Sequence, residues 1–220
     1  MEINENDYIK LIHLSQRLKI PIMLAHIIVE SFIDGRLHQK FEGRSHTWVR
    51  NFWNLITVYP CDLPLVATNF GAGYLSLKQI SAAVSALNKD QHEISNLGPI
   101  SNSTYGILCG RGSNAESFES YALTTPITHG TGANQLSHRA QNATTQEYTA
   151  GTKTWNMNLV RLFDNLSGST ISVTETAIVI YTSAYGYKVM LCRDLLGAPV
   201  DVLNNGVLSI TYPLSIVFPD

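Results

Sequence analysis

The chain has 220 residues, enough for one or two domains with a real hydrophobic core. Its hydrophobic share of 45% and charged share of 15% mark a globular chain at the low-charge end. A formal net charge of −2 supplies no basic face for phosphate, so no nucleic-acid partner is expected. The three cysteines, Cys61, Cys109 and Cys192, form no CxxC pair. That argues against a zinc ribbon or a redox motif and for buried free thiols in a reducing compartment. The first residues, Met1 to Asp7, are acidic and polar, unlike a secretory signal. The apolar stretch Ile20–Val29 holds Pro21 and His26 and is too short to span a bilayer, so no membrane partner is expected.

Taken in order, residues 4–19 carry Tyr8, Leu11, Ile12 and Leu18 at helical spacing, which predicts a short amphipathic helix ending before Pro21. Two β-type runs follow, 22–33 and 36–42, joined by Asp34-Gly35. An Asp-Gly pair between such runs is a strong hairpin signal, since both residues accept positive φ. In the second run, Leu37, Gln39 and Phe41 are expected on one face and Arg36, His38 and Lys40 on the other. A helix is expected to start at Ser45 as N-cap and to stop before Pro60. Its broad apolar face would hold Trp48, Val49, Phe52, Trp53, Leu55 and Ile56. Residues 61–103 read as a loop or arm of uncertain structure, with 75–87 either helical or extended.

From Tyr105 the β character returns. Tyr105–Gly110 reads as a strand and 115–121 as loop or short helix. Strands are expected over 135–148, 153–164, 169–181, 186–193, 199–203 and 206–217, separated by turns rich in Gly, Asn and Ser. The predicted class is mainly β: an antiparallel β-sandwich, jelly-roll-like, with an N-terminal helix and one aromatic-rich helix. The expected organisation is an N-terminal part (1–60), the arm (61–103) and the sandwich (104–220), the last forming one continuous fold with 22–56.

Motifs for chemistry are weak. Gly110-Arg111-Gly112-Ser113 and Gly130-Thr131-Gly132 match neither phosphate-loop pattern and read as turn or surface-loop glycines. Seven histidines include no HxH or HExxH. His26, His38 and His46 lie close enough in sequence to share a metal, against a default of ordinary packing. Glu116 and Glu119 could form a carboxylate pair, although their spacing suits an exposed helical turn equally. Arg36, Lys40, Arg44 and Arg50 gather around the hairpin and the Trp-bearing helix, with Glu42 among them, and read as a mixed solvated or interface face. No cofactor, metal or catalytic constellation is expected, and therefore no enzyme.

Several segments in order resemble a known group. They are a hairpin, Arg44-Ser45-His46-Thr47-Trp48-Val49-Arg50-Asn51-Phe52, Gly106–Gly112, Tyr121–Gly130, Phe163–Val173 with its Asn165-Leu166-Ser167-Gly168 turn, Leu191-Cys192-Arg193-Asp194, and Val207–Tyr212. This order resembles structural proteins encoded by tailed bacteriophages, with 57–100 outside the resemblance. The resemblance implies a non-enzymatic component of the tail, neck or capsid surface. Such a component is made in the host cytoplasm, ends in the virion, and has copies of itself and other virion proteins as partners. It carries over no active-site residue. Trp48, Phe52, Trp53 and Tyr74 are the expected interface anchors. The alternative is a receptor- or carbohydrate-binding module using Tyr and Asn in loops 128–135 and 183–187.

Overall fold

The structure, a computed structural model, describes residues 5–45, 47–61, 76–85, 94–183 and 185–219. In chain order the elements are α1 (Glu5–Leu18), β1 (Ile22–Ile33), β2 (Arg36–Arg44), α2 (Arg50–Cys61), β3 (Leu77–Lys78), β4 (Val84–Ser85), β5 (Ile94–Ser95), β6 (Gly106–Gly110), β7 (Ser137–His138), β8 (Thr145–Thr149), β9 (Thr154–Asp164), β10 (Ile171–Thr182), β11 (Lys188–Val202) and β12 (Val207–Val217). The protein is mainly β, its sheets are antiparallel, and the described residues hold two α-helices.

The first sheet runs β2-β1-β12-β9, with β7 and β8 both pairing β9. In the second, β10 is central, bonded to β11 on one edge and to β5 and β6 on the other. A two-stranded β3-β4 ribbon leads into a backbone bridge from Gln79 to Val189 of β11. Each long strand of the first sheet sends alternate residues inward: Ala25, Ile27 and Val29 from β1, Leu208, Ile210 and Tyr212 from β12, Leu159 and Phe163 from β9. These meet Ile107, Cys109, Val173, Ile178, Cys192 and Val200 of the second sheet in one core. The other face of the second sheet is covered too. There Leu108, Ala177, Val179 and Met190 pack with Val49 and Leu123. A strand covered on both faces reads as a nearly continuous apolar run, as Ala177-Ile178-Val179-Ile180 does.

The hairpin forms as the sequence dictates, with Asp34 at φ 50° and Gly35 at φ 73°. Its register corrects the expected alternation. Ser31 pairs Gln39 but Phe32 pairs Leu37, so His38 is the extra residue of a bulge. Leu37 therefore leaves the face of Gln39 and Phe41 and is exposed. The expected strand 135–148 is two short pieces, because the backbone between them turns to other partners: Gln141 N–H bonds Gly98 O, and Arg139 O accepts from Arg161. The expected strands 186–193 and 199–203 are one strand, β11. Its pairing jumps five residues, from Leu195 to Val200, opposite two residues on β10, from Glu175 to Val173, so Gly197-Ala198-Pro199 bulge outward. The segment 115–121 is loop, and the described part of 75–87 is the β3-β4 ribbon.

The helix α2 begins at Arg50, not at Ser45. Ser45 instead donates to Asp194 Oδ2 at 2.8 Å, and Trp48 bridges to Cys192 in extended backbone. The helix continues one residue past Pro60, where a stop was expected. Proline there forgoes its own bond back to the Ile56 carbonyl, and no further turn of helix depends on it. Residues 5–18 form the predicted α1, but its apolar spacing does not translate into burial. Leu11, Leu14 and Leu18 are exposed.

Candidate interaction site

Two adjacent charged residues in β11, Arg193 and Asp194, organise the surface around α2. Both are fully buried, so each requires compensation. Arg193 Nε donates to Glu175 Oε2 at 2.7 Å, and both side chains are dry. The rest of the guanidinium donates to Asn114 O at 2.9 Å, Thr124 Oγ1 at 3.0 Å and Ala115 O at 3.4 Å. The Glu175 carboxylate in turn accepts the backbone N–H groups of Gly112, Thr124 and Thr125 at 3.0, 3.1 and 2.8 Å. The pair thus clamps both ends of loop 111–125 to the second sheet. Asp194 accepts from Ser45 and, at 3.3 Å, from the hydroxyl of buried Tyr212, which also bonds Thr176. That fixes the chain entering α2.

The glycines expected on a surface loop belong to this clamp. Gly110 and Gly112 are buried, and a Cβ on Gly110 would come within 2.5 Å of Glu175 Oε1. The N–H groups that a phosphate loop would offer to a ligand are here filled by the chain's own carboxylate.

What the clamp presents is an aromatic surface. Arg50 N–H bonds Phe118 O at 2.8 Å, locking the loop to the start of α2, and Arg50 pairs with Glu119. Trp48 and Phe52 rings lie 4.5 Å apart, and Phe52 meets Trp53 edge-on at 5.3 Å. Trp48 and Phe52 are half-buried, and Trp48 packs on the core. Trp53 is 48% exposed, with Ile56 one turn along and Phe118 51% exposed on the clamped loop. The expected broad apolar inner face of this helix is corrected. Its buried side is Asn51, Asn54 and Leu55, with Asn51 Nδ2 donating to Lys78 O and Met190 O. Polar groups face inward because they complete the backbone bonding of the ribbon and of β11. A cleft of about 170 Å³ between Arg50, Asn51, Lys78, Glu119 and Tyr121 borders the surface. Tyr74, the fourth expected anchor, lies outside the described residues.

The other residues singled out from sequence are not brought together. His26 Nε2 lies 2.8 Å from Arg44 Nη1, His38 is exposed at the bulge, and His46 lies outside the described residues. Among the described residues no group of three or more His, Cys, Asp or Glu is placed to hold a metal ion. Glu116 accepts from Leu195 N–H while Glu119 goes to Arg50, so they are not a pair. The basic residues also disperse. Lys40 pairs Glu42 at 2.7 Å, and Arg44 stands over the Tyr8 ring at 4.2 Å. Cys109 and Cys192 are buried free thiols, and burial pushes Cys109 up to about 12, leaving it inert as a nucleophile. No helix among the described residues is long and apolar enough to cross a membrane.

A second buried polar centre was not anticipated from the sequence. Arg161 is wholly buried on β9 and donates to five carbonyls: Arg139, Tyr105, Ile107, Pro99 and Asn102. Burial pulls its pKa down to about 10. His138 lies beside it, also wholly buried, with Nδ1 3.0 Å from the Asn102 carbonyl. Burial, reinforced by the Arg161 charge and opposed by the Asn102 carbonyl, holds His138 down at about 4. The signal in the sequence is a charge inside an apolar strand: Arg161 in Leu159-Val160-Arg161-Leu162-Phe163, Arg193 in Leu191-Cys192-Arg193-Asp194-Leu195.

The His138 shift has a consequence for stability. Above pH 6.5 the residue is neutral folded or unfolded. Between pH 6.5 and about 4 only the unfolded chain takes the proton, so stability falls as pH falls through that window. The expected loss reaches about 3 kcal/mol near pH 4. Urea titrations at pH 7 and 4, compared with His138→Gln, check it. The variant should show a shallower fall, and an equal fall in both proteins would rule His138 out as its source.

Compared with protein-family models, curated proteins and solved structures, the chain gives no match.

Proposed function

We propose that this protein is a non-enzymatic structural component of a tailed-phage virion, assembling as a symmetric homo-oligomer. Its two sheets would form a jelly-roll-like β-sandwich that serves as a rigid block. Aromatic and strand contacts would join copies to one another and to other proteins of the tail, neck or capsid. It is made in the host cytoplasm and resides in the particle; neither nucleic acid nor membrane is a partner.

The observation carrying this reading is the exposed Trp53 and Ile56 on α2 together with exposed Phe118 on the loop that the buried Glu175–Arg193 pair clamps. A rigid aromatic cluster loses little entropy on docking and is the usual hot-spot chemistry of protein interfaces. The fit to a particle is that symmetric assemblies reuse one surface many times. The phage assignment itself rests on the order of segments that resembles tailed-phage structural proteins. The test is the mass of the purified protein in solution, where a closed oligomer is expected. Trp53→Ala should weaken assembly on the order of 30-fold or lower solubility. Unchanged mass and solubility would remove Trp53 as an anchor.

A second reading, a receptor- or carbohydrate-binding module, draws on Tyr185 and Tyr187. Their rings stack at 5.4 Å and 16°, and Tyr185 is 54% exposed. A stacked aromatic pair with its outer ring exposed and its inner ring, Tyr187, packed on the core suits the apolar face of a sugar ring. Under this reading a glycan array gives saturable binding that Tyr185→Ala abolishes, and no binding on the array counts against it.

A further inference from the structure

Loop 126–136 runs from β6 to β7 and is anchored by a buried residue at each end. Ile127 N–H bonds Cys109 O at 3.0 Å, and wholly buried Leu136 gives its N–H to Thr128 O at 3.3 Å. The part between, 129–135, is closed on itself. Gly130 N–H bonds Leu136 O at 3.1 Å. The Gln135 side chain accepts from Gly132 N–H at 3.1 Å and donates to Thr128 Oγ1 at 3.2 Å. Among the described residues, two hydrogen bonds tie 129–135 to the rest of the fold. One joins exposed side chains, Arg111 Nη1 to Asn134 Oδ1 at 2.6 Å. The other runs from His138 N–H to His129 Nδ1 at 3.0 Å.

The second tie depends on a proton. A backbone N–H only donates, so Nδ1 is the bare nitrogen of His129 and Nε2 carries the hydrogen. A protonated imidazole has two donors and no acceptor. His129 would then set N–H against N–H, and His138 N–H would lose its acceptor. His129 is half-buried, so the proton comes from solvent. The surroundings do not compensate the new charge. Residues 126–136 include no charged side chain. On β7 the His138 ring stands 5.8 Å away, edge to face, and Arg139 is bonded to Asp164 of β9 at 2.8 Å. Behind His138 on β9 is the Arg161 cation, which shares the Asn102 carbonyl with the His138 ring. Arg111, after β6, is turned to Asn134. Cys109 of β6 is a buried thiol, and Glu175 of β10, opposite Gly110, is held by Arg193.

We propose that His129 is an acid-released latch: neutral, it holds the closed turn 129–135 against β7, and protonated, it lets that turn move away about its anchored ends. Imidazole is the side chain whose charge ordinarily changes between about pH 5 and 8, so the device answers to mild acid. The turn moves as a unit, because its internal bonds involve no titrating group. Release reaches a second surface turn through His138. The His138 carbonyl accepts Ser101 N–H at 2.9 Å, and its ring Nδ1 lies 3.0 Å from Asn102 O, both in the turn 99–102 that exposes Ile100. The latch belongs to this loop alone and stands whether or not the virion reading does.

The test follows amide hydrogen exchange and imidazole nitrogen resonances of the isotope-labelled full chain at about pH 7.5 and about pH 5. At the higher pH the His129 ring should carry its proton on Nε2 alone. At the lower pH it should carry two. The His138 amide should then lose protection by about 10-fold or more, corrected for the pH dependence of exchange chemistry, while β12 amides hold theirs. Equal protection at both pH values overturns the latch, and so does a His129 ring still neutral at the lower one. His129→Ala separates this residue from His138 as the source. It removes the acceptor, so the His138 amide should be poorly protected at both pH values. A fall in that variant as large as in wild type overturns the proposal. His129→Asn keeps a side-chain oxygen near the place of Nδ1 and does not titrate, so its His138 amide should respond equally little to pH. Should the alanine variant fail to fold, a wild-type fall in the asparagine variant overturns the latch in its place.

Discussion

Glu175→Leu is expected to lower the unfolding free energy by about 3–5 kcal/mol, a large fraction of the stability of an ordinary domain. The loss is large because of what remains. Arg193, 2% exposed at its side chain, would keep its charge with no carboxylate in contact. Three backbone N–H groups, of Gly112, Thr124 and Thr125, would lose their acceptor, each at about 1–3 kcal/mol before relaxation. The added side chain also has little room, since Gly110 and Gly112 press on the carboxylate. Adding Arg193→Leu removes the stranded cation, so the double variant should be more stable than Glu175→Leu alone. It should not recover fully, because the three N–H groups stay unpaired. Urea denaturation of both singles and the double gives the coupling. Additive losses would mean that the two side chains do not act as one unit. In the double variant, loop 111–125 should lose amide protection while β10 keeps it. Phe118 would then lose its fixed place beside α2, connecting a buried pair to the aromatic surface.

The long strands were legible because one physical rule produces them. Val207–Ser215 alternates half-buried and buried residues, and Asp34-Gly35 is a turn by its own backbone preference. What was not legible depends on partners far away in sequence. Ser45 is a good N-cap by type, but Asp194 takes its hydroxyl 149 residues away. The helical pattern around Trp53 placed every large apolar residue inside. Yet Asn51 and Asn54 occupy the inner face, because the neighbouring backbone needed donors and acceptors there. The bulge at His38 moves Leu37 across the sheet, and local alternation cannot reveal it. Of the anchors named from sequence, Trp48 and Phe52 are half-buried and Trp53 is exposed. Phe118, exposed beside Arg50 at the start of α2, was hidden by a loop with no periodicity. The charged residues that hold this surface were visible as charges in apolar strands. Their partners were not, because Glu175 and Arg193 meet only once β10 and β11 pair.

Arg161→Met is expected to cost about 3 kcal/mol and to release the turn that carries Ile100. Replacing a buried ion pair with apolar side chains is often nearly neutral, because both charges leave together. Arg161 is different, since its partners are five backbone carbonyls that no side-chain substitution removes. Methionine fills much of the volume but donates nothing. The Pro99 and Asn102 carbonyls lie at the surface end and can turn to water. Ile107 O, in fully buried β6, has no such route. The loss should therefore divide into a global part, read by urea denaturation, and a local part, read by hydrogen exchange. Ser101 N–H, bonded to His138 O, should exchange at least 10-fold faster than in wild type under conditions where β12 amides are unchanged. Arg161→Lys should rescue little, because one ammonium cannot reach acceptors that a planar guanidinium spans. If Arg161→Met left Ser101 protection at the wild-type level, the turn would be stable by itself. It would then owe its rigidity to Asn102 and His138 rather than to the buried guanidinium.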